Sequence, residues 1–130
     1  MKIELLFECT YKVYVVVLEG KGHDCAHFLS EDWEAPNKRS EIARNKLFAQ
    51  IEQLAKDPRN MARPLHQICD EIWQLEQDQY RIPWFYDKGR IIICTHYFVK
   101  KKNKTPKAEK DRAKKIREEY KKGDRNEIRE

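Results

Sequence analysis

Lysine side chains crowd the segment that joins the last apolar stretch of the chain to its last predicted helix. Residues 100–107 read KKKNKTPK, and the pattern predicts Thr105 as the helix cap and Pro106 as its first residue. The helix dipole already places partial positive charge at a helix N-terminus, so lysines gathered there disfavour folding. With the N–H groups of that helix end, they predict an anion-binding site.

The charge of the chain is unevenly distributed. Residues 100–122 contain twelve Lys or Arg and four Asp or Glu, whereas the whole 130-residue chain has a formal net charge of only +5. A basic end on a mildly acidic body favours a polyanionic partner, and a solvated helix face is the alternative. The aromatic content of 11% indicates a folded chain despite the high charge, so we expect one domain over 1–122 and a short flexible tail over 123–130.

Two strands and two helices are predicted in the first half of the chain. Residues 2–8 and 12–20 are rich in β-branched and aromatic side chains, which indicates a hairpin. A short helix is predicted over 24–33 with Asp24 as its N-cap, and a longer one over about 38–56. One face of the longer helix is apolar at helical spacing: Ala43, Leu47, Ile51, Leu54 and Ala55.

Three further strands are predicted over 71–77, 80–87 and 90–99. The last is nearly continuously apolar, as expected of a central strand covered on both faces, and Cys94 within it is predicted to be buried. Pro83 has no N–H to donate to a neighbouring strand, so an edge position or a bulge is expected there.

The basic helix that follows carries only a narrow apolar stripe, formed by Ala113, Ile116 and Tyr120, and ends at Gly123. So narrow a stripe predicts that this helix packs only weakly against the rest of the fold. The order of elements predicts an α+β fold in which helices cover one side of an antiparallel sheet.

Several short motifs in the final third form a recognisable pattern. They are Tyr80-Arg81-Ile82, Gly89-Arg90-Ile91, His96-x-Phe98-x-Lys100-Lys101, Lys104-Thr105-Pro106 and the helix Glu109…Ala113…Arg117…Tyr120. Over residues 70–120 this pattern resembles the HigB-like branch of the RelE superfamily, the phage-derived host-killer toxins of type II toxin–antitoxin pairs. The resemblance implies a RelE-like fold, with N-terminal strands and two helices packed on an antiparallel sheet and a basic C-terminal helix.

The same resemblance implies an activity and partners. Such toxins are cytoplasmic endoribonucleases, or mRNA interferases, that cut mRNA, usually on the ribosome, without a metal or cofactor. The 2′-hydroxyl of the RNA attacks the neighbouring phosphate, which gives a cyclic phosphate and a free 5′-hydroxyl. The expected partners are mRNA, the ribosome and an antitoxin, expected to be a small helix-turn-helix protein, with no role for a membrane.

Four residues are the candidates for catalysis in that reaction. Arg81 suits bidentate contact with phosphate, and the alternative is a salt bridge to a neighbour such as Glu76. His96 can move a proton near neutral pH, and the alternative is a partly buried structural histidine. Lys100 and Lys101 can neutralise the phosphate or act as a base, or they simply end a solvated strand.

A larger set is predicted to bind RNA through charge or stacking. For Tyr120 a core contact is the alternative, and for the cations the alternative is a solvated helix face. The set comprises Lys102, Lys104, Lys107, Arg112, Lys114, Lys115, Arg117 and Tyr120.

Other features argue against competing classes or leave alternatives open. The four cysteines show no spacing typical of a zinc site, and no apolar run is long enough to span a membrane. His23, His27 and His66 are expected to be surface or structural residues. HigB-like sequences commonly carry an arginine where this chain has Glu76, which favours, as an alternative, a non-catalytic RNA- or ribosome-binding module of the same fold. A second alternative is a DNA-associated regulator acting with its antitoxin.

Overall fold

The computed structural model describes residues 1–19, 22–101, 103–123 and 126–128. In the described part of the chain, two strands precede two helices, and five strands, a third helix and a short strand follow. A short 3-10 turn lies at Pro58–Asn60. The elements are β1 (Lys2–Glu8), β2 (Lys12–Val17), α1 (Cys25–Phe28), α2 (Lys38–Lys56), β3 (His66–Cys69), β4 (Ile72–Gln77), β5 (Tyr80–Asp87), β6 (Ile91–Cys94), β7 (Phe98–Val99), α3 (Lys107–Lys122) and β8 (Asn126–Ile128).

The first half of the chain folds much as its sequence predicts. β1 and β2 pair antiparallel, which confirms the hairpin. The Asp24 carboxylate accepts a hydrogen bond from the Ala26 N–H and caps α1, although this helix ends at Phe28. The five predicted apolar residues of α2 are all buried. Asn37 caps α2 by accepting from the Ser40 N–H.

The eight strands of the described residues form one open, mixed sheet. Seven of them follow the order β3-β4-β5-β6-β2-β1-β8, and β7 pairs with β5 off this path. The antiparallel arrangement of β4, β5 and β6 is confirmed, and the unpredicted β3 adds an edge strand beside β4. The N-terminal hairpin joins through parallel pairing of β2 with β6, so the sheet is not purely antiparallel. Within the predicted tail, β8 pairs in parallel with β1.

Helices cover both faces of this sheet, and the prediction that they lie on one side was wrong. α1 and α2 pack on the face that carries Val13, Ile82 and Trp84. On the other face, α3 contributes Ala113, Ile116 and Tyr120 to a second apolar cluster around Phe85 and Ile93. Because these three helix residues are at most 6% exposed, the expectation of weak docking was also wrong.

The predicted strand over 90–99 is interrupted. β6 ends at Cys94, which is fully buried as predicted, and β7 begins only at Phe98. β5 pairs with β6 from Trp84 onward and with β7 at Tyr80 and Arg81, so Pro83 faces the break between the two. At this break no backbone N–H is required from residue 83. Pro83 therefore fits inside the sheet without an edge position.

The start of α3 differs from its prediction by one residue. Pro106 occupies the cap position without a side-chain cap, and helical residues run from Lys107. The Thr105 hydroxyl lies 3.4 Å from the Gln74 amide oxygen on β4, so Thr105 ties the helix start to the sheet and does not cap it. Gly123 ends the helix as predicted.

Candidate nucleic-acid interface

An open groove of about 320 Å³ separates the edge strand β3 from the start of α3. Among the described residues that line it, three are lysines, one is a histidine and none is acidic. We call it the β3–α3 groove, and Lys100, Lys104 and Lys110 the groove lysines. Its lining residues are His66, Gln67, Ile68, Lys100, Asn103, Lys104, Thr105 and Lys110.

Backbone and side-chain contacts to the sheet hold the groove lysines in place. The Lys100 N–H donates to the Gln79 carbonyl at 2.7 Å, which fixes the end of β7 against the turn between β4 and β5. The contact of Thr105 with Gln74 anchors the segment that carries Lys104. Lys110 lies at the beginning of α3, so all three cations lie near the positive end of the helix dipole. The arrangement favours an anion in the groove.

Glu76 organises the polar residues beside the groove. Its Oε2 atom lies 3.2 Å from His66 Nδ1, 3.1 Å from Gln74 Nε2 and 3.3 Å from Arg81 Nε. Burial raises the pKa of the Glu76 carboxyl, but the His66 hydrogen bond and the Arg81 charge outweigh it, so the net pKa is lowered. Glu76 is therefore ionised near neutral pH and accepts hydrogen bonds from several donors.

Arg81 is held in this network by more than one contact. Its Nη1 donates to the carbonyls of Asp78 at 2.6 Å and Tyr80 at 2.8 Å, and its side chain is only 14% exposed. Arg39 on α2 holds the same turn by donating two hydrogen bonds to the Asp78 carboxylate, each 2.7 Å long. The guanidinium thus takes the position of the predicted alternative, an ion pair with Glu76.

A row of cations continues along α3 from the groove. Lys110, Lys114 and Arg117 occur at i, i+4 and i+7, which places them on one helix face. Burial raises the pKa of the Cys69 thiol on β3, and the charges of Lys114, Lys110 and Arg117 oppose that shift. Arg117 also pairs with Glu71 and lies over the Phe85 ring at 6.0 Å. The row therefore runs beside β3.

His96 lies in the break between β6 and β7 and is completely buried. Its Nε2 is 3.2 Å from Glu109 Oε1 on α3, and its Nδ1 is 2.9 Å from the Thr95 hydroxyl. Burial, followed by the charges of Arg112 and His23, lowers the pKa of His96 to about 3. A neutral ring that donates from Nε2 to Glu109 and accepts at Nδ1 from Thr95 satisfies both contacts. This ring exposes no surface to a substrate.

The other predicted residues are spread over the helix and its surroundings. Lys101 is exposed beside Lys100, and Lys107 pairs with Asp111 at 2.9 Å. Arg112 pairs with Glu109 at 3.1 Å and, with Lys115, lines a separate pocket near His23. Lys102 lies outside the described residues.

Tyr120 lies in the core. It is 3% exposed, and its hydroxyl donates to Asp87 Oδ2 at 2.6 Å. Its ring packs edge-on against Phe85, with the centroids 5.5 Å apart. These contacts match the core alternative that the sequence left open for it.

Two residues that line the groove, His66 and Lys110, were not predicted to act there. His66 was expected to be a surface or structural residue. Since no strand was predicted at β3, the sequence did not indicate that His66 lies opposite Gln74. Glu76 was predicted both as the ion-pair alternative for Arg81 and as the position of a missing arginine. The two-residue turn between β4 and β5 sets Glu76 opposite Arg81, as the ion-pair alternative requires.

The fold and groove define an α+β protein with an open mixed sheet and a cationic groove at one edge. Residues 36–118 match the family described as phage-derived protein Gp49-like, and the chain belongs to this family. The match contains the groove and the Glu76 network, whereas the N-terminal hairpin lies outside it. No curated protein matches the sequence. Among the described residues, no helix has the length and apolarity required to cross a membrane.

Proposed function

We propose that this chain is the toxin of a type II toxin–antitoxin pair, an endoribonuclease that cuts mRNA by attack of the substrate 2′-hydroxyl on the adjacent phosphate. The chain's place in a phage-derived family and the resemblance of its final third to HigB-like toxins support this class. Because its proposed targets are mRNA and the ribosome, we propose that it acts in the cytoplasm. A small helix-turn-helix antitoxin is the proposed neutralising partner.

The single observation that carries the proposal is the β3–α3 groove. Three lysines converge on an open cleft whose described lining contains no carboxylate. Such a cleft attracts the backbone of a single RNA strand, and release of counterions adds to the affinity. The neighbouring row of cations on α3 extends the path of the strand beyond the groove.

The reaction needs negative charge on the phosphate to be stabilised as the 2′-oxygen attacks. Lys100 and Lys104 are assigned that role because they line the groove, with Lys101 exposed next to them. Arg81 and His96, predicted as catalytic, are assigned positioning roles. Arg81 holds Glu76 at 3.3 Å, and the buried His96 ties the break after β6 to α3 through Glu109.

A second candidate function is favoured by one observation. The Arg81 guanidinium, the strongest predicted phosphate ligand, is already paired with Glu76 and two backbone carbonyls. If the Arg81 guanidinium stays paired with Glu76, it does not contact the phosphate. The chain can then still bind RNA or the ribosome through the groove without cutting it. The second candidate is therefore a non-catalytic binding module with the same surface.

Expression in a bacterial host, with primer extension on its mRNA, tests the proposal and separates the two candidates. We expect growth arrest and new mRNA ends from the wild-type chain, and neither from a variant with the three groove lysines changed to alanine. The matched control removes the same charge from exposed lysines of α2: Lys38, Lys46 and Lys56. Arrest without new mRNA ends supports the binding module, and cleavage by the groove variant at the wild-type level overturns the assignment of the groove.

A further inference from the structure

We propose that His66 is the general base of this nuclease, taking the proton of the substrate 2′-hydroxyl at Nε2, and that Glu76 is its positioning residue. The inference rests on the proposed function and deepens it by naming a proton-transfer group in the groove. Neither residue belongs to the set that the sequence pattern predicted as catalytic.

Strand pairing fixes the positions of both residues. His66 lies opposite Gln74 across β3 and β4, and Glu76 lies opposite Arg81 across β4 and β5. Residues two apart on β4 share a face of the sheet, so Gln74 and Glu76 point the same way and His66 points with them. The result is the 3.2 Å contact between His66 Nδ1 and Glu76 Oε2.

Two further contacts hold the carboxylate in orientation. Gln74 Nε2 donates to the same Oε2 atom at 3.1 Å, and Arg81 Nε lies 3.3 Å from it. Glu76 is about one-third exposed, whereas the His66 side chain is 52% exposed and lines the β3–α3 groove. A fixed carboxylate behind an accessible imidazole is the arrangement that orients a general base.

The contact also determines which ring nitrogen is basic. Since an ionised carboxylate only accepts hydrogen bonds, the proton of a neutral His66 ring is on Nδ1, and Nε2 keeps its lone pair. The charges that surround the ring are mainly positive. Lys100 and Lys104 line the groove from the segment before α3, Lys110 lines it from the helix, and Arg63 precedes β3 in an adjoining pocket. Glu76 opposes these cations from β4.

The proposed step balances with one water molecule as the proton carrier. The 2′-O–H bond breaks, its proton moves to His66 Nε2, and the 2′-oxygen forms a bond to phosphorus. The bond from phosphorus to the 5′-oxygen then breaks, and the leaving oxygen takes a proton from a water molecule. The hydroxide that remains takes the proton from His66 Nε2, which regenerates both the water and the base. The products are a 2′,3′-cyclic phosphate and a 5′-hydroxyl, and the groove lysines neutralise the phosphate during the reaction.

The test uses the purified full chain with a ribosome programmed with a defined mRNA, under single-turnover conditions. We expect His66→Gln to lower the cleavage rate by about 100-fold or more, while the affinity for the RNA changes little. In Glu76→Gln we expect the cleavage rate to fall with little change in the affinity for the RNA, because the imidazole loses the carboxylate that orients it. Glu76→Asp should recover part of the rate. The control is His27→Gln, an exposed histidine on α1.

A substrate with a sulfur in place of the leaving 5′-oxygen separates a base from an acid. A thiolate leaves without protonation, so such a substrate does not rescue His66→Gln if His66 acts on the 2′-hydroxyl. Rescue, or a His66→Gln variant that cuts at the wild-type rate, overturns the inference and leaves the nuclease function standing. If the wild-type chain does not cut any RNA, the proposed function fails and the inference fails with it.

Discussion

The buried His96 predicts an acid sensitivity of the fold that can be calculated. Its pKa is about 3 in the folded chain and 6.5 in an ordinary exposed setting. Because the folded pKa is depressed, the unfolded chain binds more protons below pH 6.5, and the free energy of unfolding falls as the pH falls. The slope from this group is about 1.4 kcal/mol per pH unit, which amounts to about 2.5 kcal/mol between pH 7 and about pH 4.5.

Urea unfolding of the wild type and of His96→Gln at a series of pH values measures this contribution. Glutamine keeps a donor toward Glu109 but does not titrate, so the variant should lack this part of the slope. The stability that the substitution itself removes at pH 7 does not affect the test. What is compared is how the difference in unfolding free energy between the wild type and His96→Gln changes with pH. Carboxylates such as Glu76 contribute equally to both.

We expect the free energy of unfolding of the wild type to fall by about 2.5 kcal/mol more than that of His96→Gln as the pH falls over that range. A difference that stays constant would refute the reasoning, since it would mean that His96 titrates alike in the folded and unfolded chains. The imidazole ring of His96 would then not be buried beneath α3 in solution.

Three other predictions concern the groove, Tyr120 and the core. Changing the three groove lysines to alanine should reduce the steepness of the log–log salt dependence of single-stranded RNA binding by about 2, because each lost phosphate contact removes about 0.7. An unchanged slope would contradict this. Tyr120→Phe should destabilise the fold by about 1.5 kcal/mol in a urea titration, through loss of the 2.6 Å bond to Asp87, without weakening RNA binding. Ile51→Ala should destabilise by about 2–5 kcal/mol because Ile51 is fully buried, whereas Glu52→Ala should have little effect.

Local patterns predict much of this fold because their causes are local. The apolar period of α2, the cap at Asp24 and the β-branched residues of the hairpin act within a few residues, and each is confirmed. The side of the sheet on which α3 packs depends on long-range contacts. A three-residue stripe does not reveal that Phe85 and Ile93 form an apolar surface for it on the second face.

The candidate site was harder to predict because it depends on register. The sequence predicts a catalytic role for Lys100 and an RNA-binding role for Lys104, but no role for Lys110. It also does not predict β3, which forms the other wall of the groove. The continuous apolar run over 90–99 concealed the break at Thr95–Tyr97. As a result, His96 is predicted to lie within one continuous strand, whereas it lies between two strands and contacts Glu109 on α3.

The central claim is that RNA binds in the β3–α3 groove, and a chemical-shift titration tests it most directly. The ¹⁵N-labelled chain is titrated with single-stranded 2′-O-methyl RNA, which binds but lacks the nucleophile. We predict that the largest amide shifts fall at 66–68 and at the described residues between 100 and 110. Shifts concentrated instead at the separate pocket of His23, Arg112 and Lys115 would contradict it.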